Sequence, residues 1–278
     1  ARSIKEAAAF GKGSGFLSGI KARGAMGADI KIEVDGPRTK VAAGVSVENG
    51  KAGTYEFDDL SLSANFIDGS LYLHKLSLVK GGGMFEADGF ADMNGVIKIK
   101  AYSKKLKLDG IESVFGIELP VEGSLSGTFE ASGTTAFPVL GAQVNLSDAG
   151  FGGLSLKAAS GKFVFSPDKI EIIRMEVGGG KQKTMIKGTI PLTEKENIDL
   201  KVKLNGENTG LIASLVKGVE WMGGGGSVEV AVSGKITHPN VNGTVFLKDA
   251  RINIDQIKST VFGLNADVRA RGNYFEIK

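Results

Sequence analysis

Apolar and polar residues alternate with a period of two along most of this chain, and few folds accommodate that pattern. Successive side chains on a β-strand point to opposite faces, so strict alternation describes a strand with one oily and one wet side. Asp29-Ile-Lys-Ile-Glu-Val34 places Ile30, Ile32 and Val34 on one side and Asp29, Lys31 and Glu33 on the other. The same reading assigns apolar faces to Leu71 and Leu73, Ile97 and Ile99, Ile170 and Ile172, and Leu200, Val202 and Leu204. It continues through Val228, Val230 and Val232, then Val245 and Leu247, then Ile252 and Ile254. Mean strand and loop lengths convert this into an all-β antiparallel meander of about sixteen short strands.

The punctuation between these runs fits hairpins. Asn49-Gly50, Asp68-Gly69, Asn94-Gly95 and Asn205-Gly206 are pairs that accept the positive φ of tight turns. Ser166-Pro-Asp-Lys169 suits a type I turn with proline second. Three stretches lack the alternation and are expected to form short helices: Ser3–Phe10, Asp109–Phe115 and Asn208–Val216.

Their even spacing suggests internal repetition. Gly133, Pro138, Asp148 and Ala149 recur as Gly234, Pro239, Asp249 and Ala250, each displaced by 101 positions. Gly81-Gly-Gly83 is echoed by Gly178-Gly-Gly180, and Ile97-Lys-Ile-Lys by Ile198-Asp-Leu-Lys. The chain is therefore expected to be one continuous array over 1–278, with units of about 3–107 and 108–207 and a truncated third at 208–278. Each full unit is a short helix followed by about six strands. The array begins at Ala1 and stops inside an alternating run, so it is expected to be a piece of a longer protein.

A long meander with one apolar face has to cover that face. Three short helices cannot do it, so the sheet is expected to curl its apolar sides together. Tight closure gives a dry sandwich core, and loose closure a long apolar trough. Glycine, at 41 of 278 residues roughly twice its usual share of ~7%, eases the bending. Collagen is excluded by the lack of a Gly-X-Y period, and disorder by 42% hydrophobic residues with a net charge of only +3. No basic stripe is visible, so no nucleic-acid partner is expected. Without cysteine there is no disulfide and no thiolate site. No apolar run is long enough to be a membrane-spanning helix, and no signal peptide opens the chain.

The repeated unit, Gly-x4-Pro then Gly then an alternating strand ending Asp-Ala, resembles the C-terminal region of the TamB family. These are inner-membrane-anchored subunits of the translocation and assembly module, within the wider AsmA-like group. Pro138, Gly141, Asp148 and Ala149, with Pro239, Gly243, Asp249 and Ala250, carry the likeness. Gly243 departs from it, falling four residues after its proline where Gly141 falls three after. The resemblance covers essentially the whole chain. It implies a taco-shaped β-groove in the periplasm of a diderm bacterium, conducting phospholipid between inner and outer membranes. It also implies an outer-membrane barrel partner of the TamA type, reached through sequence C-terminal to this chain, and an inner-membrane anchor N-terminal to it.

No catalytic constellation emerges, and neither a cofactor nor a metal is expected. His74 sits opposite Leu71 and Leu73 in its strand, and His238 precedes a proline; neither has a second ligand at a metal-binding spacing. Asp58-Asp59 reads as a solvated turn rather than a carboxylate dyad. Gly11–Gly15 and Gly223–Gly226 lack the Lys-Ser/Thr of a phosphate loop and read as flexible linkers. Lys104, Lys105 and Lys107 form a small basic edge that could also meet lipid headgroups. Trp221 and Met222 read as packing residues, or as a closure of the groove. Three functional readings remain: a lipid-conducting groove lined by the nineteen alternating residues named at the outset, a chaperone-like scaffold for outer-membrane proteins, and a structural or adhesive repeat with a dry core.

Overall fold

A computed structural model gives the architecture, and it describes residues 2–3, 22–35, 38–111, 121–151, 154–179, 182–193, 196–206, 219–235, 238–254, 258–272 and 274–277. The chain divides into two units, Ala1–Ser155 and Leu156–Lys278. The first holds β1 (Arg2–Ser3), β2 (Ala22–Asp35), β3 (Arg38–Ala52), β4 (Tyr55–Ile67), β5 (Ser70–Lys80), β6 (Gly83–Ala91), β7 (Ile97–Lys107), β8 (Val121–Gly133) and β9 (Pro138–Phe151). The second holds all but the first two residues of β10 (Leu154–Phe165), then β11 (Lys169–Gly179), β12 (Gln182–Pro191), β13 (Ile198–Gly206), β14 (Val219–Lys235), β15 (His238–Ile254), β16 (Ser259–Gly272) and β17 (Tyr274–Ile277). From β2 to β9, and again from β10 to β17, every strand pairs antiparallel with its sequence neighbour.

The strands are long rather than short: β14 and β15 each run 17 residues. Among the described residues there is no helix. Ser3 belongs to β1, which pairs with β2, and Asp109–Ile111 form a turn. The rest of the first two expected helices, all of Asn208–Val216 and the Gly11–Gly15 stretch lie outside the described residues.

Several expected turns lie within strands. Asp68-Gly69 and Asn94-Gly95 do close hairpins, the latter with the Asp92 carboxylate accepting the N–H groups of Asn94 and Val96 at 2.9 and 2.8 Å. Ser166–Lys169 also closes a loop, with Ser166 N–H donating to the Lys169 carbonyl at 2.9 Å. Asn49-Gly50, by contrast, sits inside β3, Asn205-Gly206 ends β13, and Gly223–Gly226 lie within β14 instead of forming a linker. Asp58-Asp59 likewise lies in β4, where the Asp58 carboxylate accepts the Gly81 N–H at 2.8 Å.

The reason is bulge chemistry. Asn49, Asp148 and Asp249 adopt φ of 49°, 50° and 48°, the left-handed conformation that Asn and Asp tolerate best after glycine. Across the ladder from each, the partner strand shifts register at Gly24, Gly123 and Gly224. At these glycines an added Cβ would come within 3.0 Å of the facing backbone. One device therefore recurs in the hairpins β2–β3, β8–β9 and β14–β15. A second recurs in β5 and β11, where the register shifts between Leu73 and Leu76 and between Ile172 and Met175. These two devices thus return every six strands, whereas the shift between Ser103 and Leu106 in β7 has no counterpart in β13.

After β7 the chain crosses back to the β3–β4 hairpin. Tyr55 Oη donates to the Lys107 carbonyl at 3.0 Å, Thr54 Oγ1 to that of Gly110 at 3.2 Å, and Lys80 Nζ to that of Asp109. The Lys80 ammonium lies 3.9 Å from the Tyr55 ring centre. Val47, Tyr55 and Phe57 form the buried cluster beneath this crossing, and Ile111 packs against it. Burial, and secondarily the Asp109 carboxylate, push the Tyr55 hydroxyl up to about 12.

Two outcomes follow. At Gly188, φ is +132° and an added Cβ would lie 1.9 Å from the Asp199 carbonyl oxygen. Gly188→Ala should therefore lower stability by at least about 1–3 kcal/mol in urea unfolding. Gly225→Ala, where nothing lies within 4 Å, should change it little. Tyr55 stays protonated longer folded than unfolded, so its contribution is complete below pH 10 and is lost as pH rises towards 12. Tyr55→Phe should flatten that part of the stability–pH curve.

Candidate functional site

Residues directly opposite each other in a ladder share a face, so the register shows how the alternating residues assemble. In the first unit one row runs Ile30, Ala43, Ala64, Leu73, Gly89, Ile99, Ala131, Leu140 from β2 to β9. The row on one side is Ile32, Val41, Phe66, Leu71, Ala91, Ile97. On the other side, one row beyond the adjoining Ala28 row, it is Met26, Val47, Leu60, Leu78, Phe85, Ser103, Gly127, Val144. Ser103 is the one polar side chain in these three rows.

The second unit has the same construction. Phe163, Ile172, Gly188, Leu200, Val232 and Val241 make one row, and Met175, Ile186, Val202, Val230, Gly243 and Ala270 the next. A third runs Ala159, Val177, Thr184, Leu204, Val228, Val245, Val268. Ile170 pairs with Phe165 and Ile190, Leu247 with Gly226 and Ala266, and Ile252 with Trp221 and Val261. Val34 and Ile254 hold ladder positions opposite Thr39 and Val219, but their side chains lie outside the described residues.

Each unit thus carries an apolar face, and its burial is graded. In the first unit Val47 is 4% exposed, whereas Ile30 and Ile32 at the β2 end are 67% and 64% exposed. In the second, Val177, Leu204 and Val228 form a buried row, Leu204 with no exposure at all. The opposite face is wet and charged. Lys203 and Glu229, paired across β13 and β14, lie 2.6 Å apart; Lys75 and Glu86 across β5 and β6 are 2.7 Å apart. These pairs are solvent-exposed, so each contributes about 0–1 kcal/mol. Glu33, on the same face of β2, is held below the ordinary carboxylate range by its hydrogen bond to Lys31 and then by that ammonium's charge.

Alternation alone misses Leu76 and Leu78, and Met175 and Val177, because the bulges shift the phase. The signal is nonetheless written in the sequence: Leu71-x-Leu73-x-x-Leu76-x-Leu78 has the same slip as Ile170-x-Ile172-x-x-Met175-x-Val177. His74 is the exposed bulge residue beside that slip, and His238 opens β15 opposite Lys235. Lys105 is itself a bulge residue, with φ 50°. Met222 is 53% exposed within β14. Among the described residues no group of three or more His, Cys, Asp or Glu side chains could hold a metal, and no helix is long and apolar enough to cross a membrane.

Two hydroxyls are buried on the apolar faces in opposite circumstances. Ser103, 1% exposed, donates to the Leu125 carbonyl at 3.0 Å and lies 3.3 Å from that of Met84, bridging the strands on either side of β7. Thr184 Oγ1 is buried with no hydrogen-bond partner.

No protein family, curated protein or solved structure matches this chain.

Removing a satisfied hydroxyl and removing an orphaned one have opposite consequences. Ser103→Ala should destabilise by about 1 kcal/mol, whereas Thr184→Val should be neutral or stabilising by up to about 1 kcal/mol. Denaturant midpoints of the two variants would check this; equal destabilisation by both would contradict it.

Proposed function

We propose that this chain is a non-enzymatic lipid-conducting scaffold. Its sheet curls the apolar side inward as a taco-shaped trough along which phospholipid tails travel between two membranes. The observation that carries this reading is the apolar face itself. Three ladder rows within β2 to β9 keep aliphatic or aromatic side chains and glycine in register with a single polar exception, while the other face carries ion pairs such as Lys75–Glu86. Its partly exposed members, Ile30, Ile32, Phe66 and Leu71, offer apolar surface beyond the buried rows.

The energetics give such a surface a task. Each methylene exposed to water costs about 0.8 kcal/mol, so two chains of roughly 14 methylenes face a barrier near ~22 kcal/mol. Unassisted escape then occurs on the order of once an hour. A hydrocarbon-lined path removes most of that barrier without nucleotide hydrolysis, because the tails never meet water while the headgroups stay in it. The likeness of the Gly-x4-Pro…Asp-Ala repeat to the TamB family supports the same reading. With it come a periplasmic location, an inner-membrane anchor and a TamA-like outer-membrane barrel as partner in the full-length protein.

The test uses one strand. Val230 pairs with Val202 and Gly243 on the apolar face, and the neighbouring Glu229 is ion-paired to Lys203 on the wet face. A photo-reactive residue at Val230 should capture phospholipid in cells, and one at Glu229 should not. Capture at neither position would favour a dry core and sink the proposal. Ile172→Asp or Val202→Asp should abolish lipid transfer between vesicles, since a charge in an apolar path costs several kcal/mol. Glu171→Ala and Lys201→Ala, on the wet face, should leave transfer intact.

A further inference from the structure

The wet face of the first unit is not uniformly hydrophilic. Where β5, β6 and β7 lie side by side, it opens a depression of about 590 Å³ walled by Tyr72, Phe90 and Tyr102. That volume lies within the ~300–1,000 Å³ usual for small-molecule sites. Phe90 faces Tyr72 across one ladder, with ring centres 6.5 Å apart, and Tyr102 faces Glu86 across the next. The two tyrosines are 42% and 43% exposed, so their rings are open to a ligand rather than used as core.

Polar groups converge on the same depression. Asp88 and Lys100 are opposite each other on β6 and β7, and the Lys75–Glu86 ion pair closes one side. Among the described residues Asp88, Lys100 and the hydroxyls of Tyr72 and Tyr102 make no hydrogen bond or ion pair with the protein. Two lysines balance two carboxylates, so the lining has no net charge to attract an anion. Aromatic surface combined with neutralised, unspent donors and acceptors is complementary to a sugar ring. The C–H face of a pyranose stacks on an aromatic ring, and its hydroxyls both donate to a carboxylate and accept from an ammonium.

We infer that the β5–β7 depression is a binding site for a neutral saccharide, on the face opposite the apolar one. It would let the protein hold a glycan while the other face handles apolar cargo, and it does not depend on what that cargo is.

The experiment titrates the full chain with the neutral β-1,4 hexasaccharide of N-acetylglucosamine, with cellohexaose and with maltohexaose, followed by calorimetry and saturation-transfer NMR. Saturable binding of at least one is expected. Tyr72→Ala, Tyr102→Ala and Asp88→Asn should each weaken it about five-fold or more, and Tyr274→Ala, at an 81% exposed tyrosine elsewhere, should not. Asp88→Asn keeps side-chain size at an exposed position, so it reads the site even where an alanine variant unfolds. No saturation with any of the three sugars would overturn the assignment, as would equal binding by all variants. Binding only of a Lys-Glu peptide, or only of phosphatidylglycerol vesicles, would also overturn it. Lipid capture at Val230 is unaffected by any of these results.

Discussion

An antiparallel sheet keeps one face apolar only while every hairpin and every irregularity preserves the parity of its strands, and a one-residue slip moves a whole strand's oily side into water. Eight consecutive strands satisfy that condition in the first unit. Each hairpin and each bulge is under the same demand, because an error at one ladder would invert every strand beyond it. Leu73 faces both Ala64 and Gly89, and Ile99 both Gly89 and Ala131. Parity is the constraint on which the candidate site, the wet-face ion pairs and the aromatic depression all depend.

Bulges appear at first to threaten that parity. In β5 and β11 two residues intervene between the apolar positions, His74-Lys75 in one and Ile173-Arg174 in the other. The slip turns the strand while returning the next leucine or methionine to the same face. Such insertions raise local twist, and Gly89 and Gly188 on the adjoining strand lack the Cβ that would meet the facing carbonyl. Glycine abundance in this chain is thus tied to particular close approaches, and the repetition of those approaches every six strands reflects the repetition of the chemistry.

Much of this organisation was legible in the sequence. Strand type followed from the alternation, and Val228, Val230 and Val232 share a face opposite Leu204, Val202 and Leu200, as period two requires. What could not be read was the difference between a turn and a bulge. Asn49-Gly50 and Asp68-Gly69 both supply positive φ, but only the second is followed at once by a returning strand. Dipeptide chemistry fixes the backbone angle and leaves open whether the chain reverses. That is decided by the residues beyond: Gly53-Thr54 takes the reversal that Asn49-Gly50 does not. The aromatic depression was invisible for another reason. Tyr72, Phe90 and Tyr102 come from three strands, and only the register brings them together.

The difference between the two faces also bears on how such a chain grows. A closed globule has a fixed interior, so an added strand must find a place in an existing core. In a meander with two-sided parity, a further hairpin extends both faces at once and needs only a neighbour with the same period. The recurrence of the Asn/Asp bulge at Asn49, Asp148 and Asp249 is consistent with such hairpin-by-hairpin extension. The copies share these bulges but differ in their side chains, and the Ser103/Leu106 shift of β7 has no counterpart in β13. The buried position held by Ser103 in one repeat is held by Leu204 in the next, and the tyrosines at 72 and 102 correspond to Glu171 and Lys203, which present charge instead. The recurring bulges thus keep their places by sterics, while the side chains on either face differ from one copy to the next.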